Sequence, residues 1–214
     1  MSKLIDELIH EGVLHTEQYI AAFRAVRRID FLHTDMQQFA DENVALPIIH
    51  GQNISQPYTV AFMLEHLQPQ PGDRILEVGC GSGWVTGLLA QIVGASGYVY
   101  AIDIIPQLVD LTQEHLRKYK FENIHLQWGN GWKGVPEHAP FNRIIVSAGA
   151  PKVPQTLVDE LAHNGKLVIP VGEDIQELYV ITKHSDGKLT QDLFPGFQFV
   201  PMVGDIRTKE TKSS

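Results

Sequence analysis

One cysteine, Cys80, stands in the whole chain. It has no partner for an intrachain disulfide and cannot build a thiolate metal cluster. Basic residues are also few: 17 Lys and Arg against 25 Asp and Glu leave a formal net charge of -8. Phosphate binding needs a basic face that displaces counterions, so this balance weighs against a nucleic-acid partner. Long apolar runs are missing, and no stretch approaches the roughly 20 apolar residues of a membrane span. The first residues, Met1 to Glu7, place Asp6 and Glu7 where a signal peptide carries its apolar core. The ten histidines are scattered and form no His-Glu-x-x-His pair, so no metal site is expected. Internal repeats and low-complexity segments are absent too. These gaps together point to a soluble cytoplasmic protein, expected as a monomer, with no metal, membrane or nucleic-acid partner.

What is present is ordinary globular material. The 214 residues are 43% hydrophobic and 20% charged, enough to fold one domain around a sizeable core. Residues 3–26 read as helical, with Leu4, Ile5, Leu8 and Ile9 on one stripe, Tyr19, Ile20, Phe23 and Val26 on a second, and Gly12 as the break. Residues 27–54 hold no sustained period and read as loop, of a length that is usually functional or partly structured. A regular pattern starts at Ser55. Helices are expected over 55–67, 84–93, 106–120 and 153–161. Strands are expected over 74–78, 98–102, 124–128, 143–147 and 166–170. A hairpin follows, Leu178–Lys183 and Lys188–Leu193 around Ser185-Asp186-Gly187, and a short strand over Gln198–Val203 closes the series.

Alternating strands and helices imply right-handed crossovers. The expected fold is therefore α/β, a doubly wound, mostly parallel sheet of Rossmann-like type, seven-stranded with the short Gln198–Val203 run left out. The terminal hairpin has no helix between its strands, so that edge should be antiparallel. One domain divides into an N-terminal helical and loop extension (1–54), a core (55–204) and a frayed tail (205–214).

Ligands in such sheets bind at the carboxyl ends of the strands. The loop after the 74–78 strand reads Glu77-Val78-Gly79-Cys80-Gly81-Ser82-Gly83. A plain strand–helix turn needs one glycine, not three. Glycines let the backbone turn tightly and approach a ligand closely. A nicotinamide loop wants Gly-x-Gly-x-x-Gly, but the third position falls on Trp84 or Thr86, depending on the start. A Walker loop would need Gly-Lys-Ser/Thr, which is missing. The arrangement that remains, Glu-x-Gly-x-Gly-x-Gly, resembles the first motif of class I methyltransferases. The next strand runs on to Asp103, whose carboxylate can accept from both ribose hydroxyls of an adenosine; it can equally cap the helix that starts near Pro106. Gly129-Asn130-Gly131 follows the third strand of the series, where this fold faces an adenine ring, though Asn-Gly also makes a simple turn.

Several segments then agree on one family. Leu46-Pro-Ile-Ile-His-Gly-Gln52-Asn53-Ile54-Ser55-Gln56-Pro57 resembles the substrate loop of protein-L-isoaspartate O-methyltransferases. The glycine loop, Gly129-Asn-Gly131, Ala139-Pro140-Phe141, Gly165–Gly172 and Phe199-Val200-Pro201 follow in the family's order. The resemblance covers roughly residues 20–204. It implies S-adenosyl-L-methionine as cofactor and isoaspartyl-containing peptides and proteins as partners. The implied reaction is methylation of the free α-carboxyl of L-isoaspartyl residues, whose ester re-forms a succinimide and returns in part to normal aspartate. It further implies Ser55 as the catalytic-site serine. The cofactor side comprises Gln52, Ile54, Glu77, Gly79, Cys80, Gly81, Gly83, Asp103, Ile104, Gly129, Asn130 and Gly131. The acceptor is a carboxylate, ionised near neutral pH, so no strong base is required. Ser55 is read as a hydrogen-bond donor to that carboxylate; its position also suits an N-cap of the following helix.

The chain departs from the family pattern in places. Asn130 stands where the family has Asp, which predicts weaker cofactor binding, since an amide oxygen accepts but carries no charge. Asn142 stands where Asp is usual, and Trp84 follows the glycines, where it should pack against the cofactor region. Asp30-Phe31-Leu32-His33 replaces the usual Phe-Val-Pro. Two other readings compete: a non-catalytic relative that binds cofactor, and a methyltransferase of RNA or small molecules. The intact Asn53–Pro57 motif opposes the first, and the acidic charge opposes an RNA substrate.

Overall fold

The computed structural model describes residues 3–204. The expected frayed tail, 205–214, lies outside the described residues. The helical start is two helices, α1 (Lys3–His10) and α2 (Glu17–Ala25), and Gly12, at φ +74°, makes the break between them. No side chain of its own first turn caps α2. The carboxylate of Glu65 does so instead, accepting from the backbone N–H groups of His15 and Thr16 at 2.8 Å each and from Thr16 Oγ1 at 2.7 Å. The N-terminal extension is thereby fastened to the helix that carries Glu65.

Residues 27–54 are the partly structured loop expected. Three 3-10 turns (Arg28–Phe31, Gln37–Phe39, Ile49–Gly51) punctuate them. A minimal antiparallel pair, β1 (Leu46–Pro47) and β2 (Asn53–Ile54), closes over the last turn. From there the chain alternates: α3 (Pro57–Leu67), β3 (Arg74–Val78), α4 (Trp84–Val93), β4 (Tyr98–Asp103), α5 (Pro106–Leu116), β5 (Ile124–Trp128), β6 (Phe141–Val146), α6 (Gln155–Asp159), β7 (Leu161–Val171), β8 (Gln176–Lys183) and β9 (Leu189–Phe197). Pro57 and Pro106 sit in the first turns of α3 and α5, where a missing N–H costs nothing.

The seven-stranded sheet runs β5-β4-β3-β6-β7-β8-β9. β3 to β7 are parallel, and β8 runs antiparallel to both of its neighbours, β7 and β9. This is the doubly wound sheet with an antiparallel C-terminal edge that the sequence predicts. Core packing alternates along β3: Ile75 faces the cluster that contains α2, α3 and α4 residues, and Leu76 faces the one built on α6 and β7.

Several boundaries differ from expectation: α3 starts at Pro57 rather than Ser55, α5 ends at Leu116 rather than Lys120, and β7 and β8 start early, at Leu161 and Gln176. The 153–161 helix is only α6, because Pro154 takes an extended conformation ahead of it and Leu161 already pairs with Phe141. β9 extends to Phe197. The expected strand over 198–203 does not form. That segment leaves the sheet and bonds to the loop after β6, through Gly149 N to Val200 O at 2.8 Å and Met202 N to Gly149 O at 2.7 Å. Asn142 is structural, its Oδ1 accepting from Arg74 N at 2.8 Å and so tying β6 to the start of β3.

Candidate active site

The winding direction reverses between β3 and β6, since β4 and β5 lie on one side of β3 and β6 and β7 on the other. Loops diverge there at the carboxyl ends and open a crevice. A cavity occupies it, walled by Glu77 to Ser82, Ile102 to Ile105, Gly129, Gly131, Ser147 and the 200–203 segment. The Gln52–Ser55 strip closes one side. Trp84, 2% exposed, lies on its wall as expected.

The glycine loop spends its amides internally. Gly79 N and Cys80 N both donate to Ile102 O, at 2.8 and 3.1 Å, and Gly83 N donates to Cys80 O at 2.8 Å. Gly81 N donates to Asp103 Oδ2 at 3.1 Å. Amides so occupied do not form a phosphate nest, which separates this loop from a dinucleotide or P-loop site. Two glycines have distinct tasks. Gly81, at φ +54°, faces open cavity: a Cβ there would meet only Ile48 Cδ1, at 3.9 Å. Gly83, at φ +87°, is packed: a Cβ would fall 2.9 Å from Thr112 Cγ2 and 3.2 Å from Thr112 Cα on α5.

Asp103 braces two turns at once. Its second oxygen, Oδ1, accepts from Ile105 N at 3.0 Å at the start of α5. Ile105 is the N-cap residue of α5, so Asp103 steadies the turn ahead of the helix, and each carboxylate oxygen keeps a further lone pair for a hydroxyl at the cavity. Burial raises its pKa, against the opposing effect of the amides of Ile105, Gly81 and Ile104. Glu77 is fully buried behind the loop. Its Oε2 accepts from Thr86 Oγ1 at 2.6 Å, while Oε1 has no hydrogen-bond partner among the described residues. Burial, with a smaller push from Asp103, raises its pKa from 4.5 to about 8, so it is mainly protonated at pH 7. Burial likewise holds the Cys80 thiol well above its usual range, which makes it an inert wall rather than a nucleophile.

A second, more open groove runs from Ala45 and Tyr58 past Phe62 to the 194–200 segment. Tyr58, Phe62, Phe194, Phe197 and Phe199 give it an aromatic floor. Four residues line both the cavity and the groove: Asn53, Ser55, Ser147 and Val200. Ser55 therefore sits where the two meet. It is not the N-cap of α3. Gln56 holds that position without a side-chain cap, and the Tyr58 amide is satisfied by Asn43 Oδ1 at 2.9 Å. The Ser55 hydroxyl makes no hydrogen bond with a described residue, and only its carbonyl is engaged, by Arg28.

The cavity brings together Gln52, Ile54, Ser55, Glu77, Gly79, Cys80, Gly81, Asp103, Ile104, Gly129 and Gly131. Gly83 and Asn130 stand off its wall. Asn130 Oδ1 accepts from Trp132 N at 2.9 Å, capping the short turn Gly131–Lys133. Sequence reasoning missed Ser147, Ala148, Val85, Leu108 and the 200–203 backbone. The Phe199-Val200-Pro201 motif was the one signal for the last of these; Ser147 carried none.

Fold and site define the class first: an S-adenosylmethionine-dependent methyltransferase on a doubly wound sheet. The particular branch follows from the sequence match. The family model for protein-L-isoaspartate(D-aspartate) O-methyltransferase matches residues 1–207, and the chain belongs to that family. The protein-L-isoaspartate O-methyltransferase of Aeropyrum pernix is 40% identical, over 97% of this chain and 81% of its own. That of Pyrococcus horikoshii is 40% identical over 97% and 94%. A Plasmodium falciparum structure described as a protein-L-isoaspartate O-methyltransferase, solved with S-adenosyl-L-homocysteine, superposes with a TM-score of 0.85. It is 28% identical and covers 94% of this chain and 97% of that one.

Proposed function

We propose that this chain transfers a methyl group from S-adenosyl-L-methionine to the free α-carboxyl of L-isoaspartyl residues in damaged peptides and proteins. The observation that carries the reading is the junction of the two recesses at Asn53, Ser55, Ser147 and Val200. None of these four side chains is a base. A hydroxyl or protonated amine acceptor would need one. A carboxylate does not, because its pKa near 3.5 to 4 leaves it ionised at neutral pH.

S-adenosyl-L-methionine supplies an electrophilic methyl on a sulfonium. The chain's own part is to bind, orient and desolvate. Gly79 and Gly81 admit the ligand close to the backbone, and Asp103 offers free lone pairs to ribose hydroxyls. Gly129 lines the cavity at the end of β5, and Gly131 lets Val78 and Met202 close in beside it, where a Cβ would fall 2.3 and 2.6 Å from their side chains. On the groove side, the Ser55 hydroxyl is unengaged and donates to the acceptor carboxylate. That bond fixes direction without neutralising the nucleophile. The aromatic floor of the groove excludes water around an extended peptide.

No helix among the described residues is long and apolar enough to cross a membrane. The acidic charge weighs against a nucleic-acid partner, and the single cysteine is compatible with the reducing cytoplasm. The deciding experiment compares two synthetic peptides that differ only in an isoaspartyl or normal aspartyl linkage, with methyl-labelled cofactor. Base-labile methyl ester should form on the isoaspartyl peptide alone. Absence of ester, in protein that binds S-adenosyl-L-homocysteine, would reject the activity.

A further inference from the structure

Arg28 belongs to neither recess. It opens the 3-10 turn after α2, and it is 5% exposed. Its guanidinium donates to four backbone carbonyls. Nη1 reaches Ala40 O at 3.3 Å and Glu42 O at 3.0 Å, and Nη2 reaches Val44 O at 2.6 Å and Ser55 O at 3.3 Å. Every acceptor lies in the 40–55 segment. Its own structure is the two-residue pair of β1 and β2 and the 3-10 turn Ile49–Gly51. Leu46 and Ile54 anchor it in the core, and its side-chain ties include Asn43, whose Oδ1 takes the Tyr58 amide at 2.9 Å and whose carbonyl takes Gln56 Nε2 at 3.0 Å. Arg28 also sits over the Trp84 ring, 5.6 Å from its centroid.

We propose that Arg28 is a positioning residue for methyl transfer: its buried guanidinium sets the backbone that presents Ser55 at the junction of the two recesses, without touching substrate or cofactor. This rests on the carboxyl-methylation reading. A planar fork of donors suits the task. Converging carbonyl dipoles hold one delocalised cation, and the cation fixes where those carbonyls can point. Burial lowers its pKa to about 10, with Asp41 and Glu42 opposing, so the charge is present at neutral pH. A lysine brings one compact ammonium with three donors, which cannot serve four carbonyls spread over 16 residues of chain.

Trp84 has independent anchors, Nε1 donating to Val26 O at 3.1 Å and the ring meeting Phe23 edge-on at 5.5 Å. Loss of Arg28 therefore leaves the Trp84 side of the cofactor cavity standing and loosens the Gln52–Ser55 strip, which borders both recesses. A strip that is competent for only part of the time weakens apparent substrate affinity by that fraction. The effect falls on KM more than on kcat, because saturating peptide selects the competent arrangement.

The test uses Arg28→Gln and Arg28→Lys in the full chain, with isoaspartyl peptide kinetics, S-adenosyl-L-homocysteine titration and limited proteolysis. The KM for isoaspartyl peptide should rise at least ~10-fold in Arg28→Gln, with an intermediate rise in Arg28→Lys, while S-adenosyl-L-homocysteine affinity, which keeps the glycine loop and Asp103, falls by a smaller factor than the KM rises, the scale being that of a lost charged hydrogen-bond partner. Cleavage within 40–56 should accelerate, while cleavage elsewhere keeps its rate. This readout needs no turnover, so it stands even if the wild-type chain proves inactive on isoaspartyl peptide, an outcome that would reject the activity instead. Wild-type KM and unchanged cleavage would overturn the proposal. So would a loss of cofactor-site binding equal to the loss of turnover, or failure of both variants to fold, since Arg28 would then be a framework residue.

Discussion

Replacing Glu77 by Gln should remove one pH-dependent contribution to stability and so reverse the stability order of variant and wild type between pH 5 and pH 8. The Glu77 side chain is fully buried, Thr86 satisfies one oxygen, and the other has no partner among the described residues. Its pKa rises from 4.5 to about 8 on folding. Below the lower value the group is protonated in both folded and unfolded chains and adds no slope. Between the two values the unfolded chain releases its proton and the folded chain keeps it, so unfolding gains about 1.36 kcal/mol per pH unit. By pH 7 that amounts to roughly 3 kcal/mol and by pH 8 to roughly 5 kcal/mol, after which the curve flattens, given the shift to about 8. Gln keeps the acceptor for Thr86 but places an amide N–H₂ where the protonated acid has a single unpartnered O–H, and the extra donor is a pH-independent cost of about 1–3 kcal/mol. Wild type should thus be the more stable protein near pH 5 and the less stable near pH 8, with a crossing at about pH 5 to 7 from these two magnitudes. Urea unfolding followed by circular dichroism from pH 5 to 9 measures both, and the difference between the curves cancels the other titrating groups. A difference that stays constant over that range would refute the buried, protonated carboxyl.

The two faces of the site should separate by mutation. Ser55→Ala should cut kcat/KM on isoaspartyl peptide ~10- to 100-fold and leave S-adenosyl-L-homocysteine affinity intact, whereas Asp103→Ala should weaken that affinity at least ~10-fold and also lower thermal stability by freeing two amides; equal losses in both assays would contradict the division. The glycines should separate likewise. Gly81→Ala should cost only ~1 kcal/mol of stability but much of the cofactor affinity, while Gly83→Ala, driven into α5 at Thr112, should cost ~2–4 kcal/mol, and calorimetry beside ligand titration tells them apart. Asn130→Asp should keep its turn cap and change cofactor affinity by less than ~3-fold, because a capping oxygen serves equally from either residue. A tenfold tightening would place that side chain on the adenine instead.

The architecture was legible because its determinants are local and periodic. Strand runs such as Arg74–Val78 and proline-led helices such as α5 announce themselves within a few residues. The hairpin of β8 and β9 was equally plain from Ser185-Asp186-Gly187. What misled was Gln198–Val203. A β-prone run reads as a strand, but here the neighbour it finds is the loop at Gly149, and the pairing reduces to an isolated bridge at Pro201. The glycine loop carried the cofactor side of the site for the same local reason that made it visible, three glycines at fixed spacing. Spacing alone cannot say whether the missing Cβ of Gly83 makes room for a ligand or for a helix; in the fold Thr112 of α5 fills that space.

Side-chain partners were the least legible layer, and Ser55 shows why that matters. Its position alone suits an N-cap, and in isolation that reading has good physics behind it. The fold gives the task to Asn43, fifteen residues upstream of the amide that it satisfies. It gives the Ser55 carbonyl to Arg28, 27 residues upstream. The serine is therefore fixed through its backbone and idle at its hydroxyl, at the point where two recesses join. Had Ser55 capped α3, binding a substrate carboxylate would have cost the helix a hydrogen bond at every turnover. With the cap supplied from elsewhere, the hydroxyl is a preorganised donor with no competing intramolecular partner, and a preorganised donor is the most that an acceptor needing no base can ask of its site.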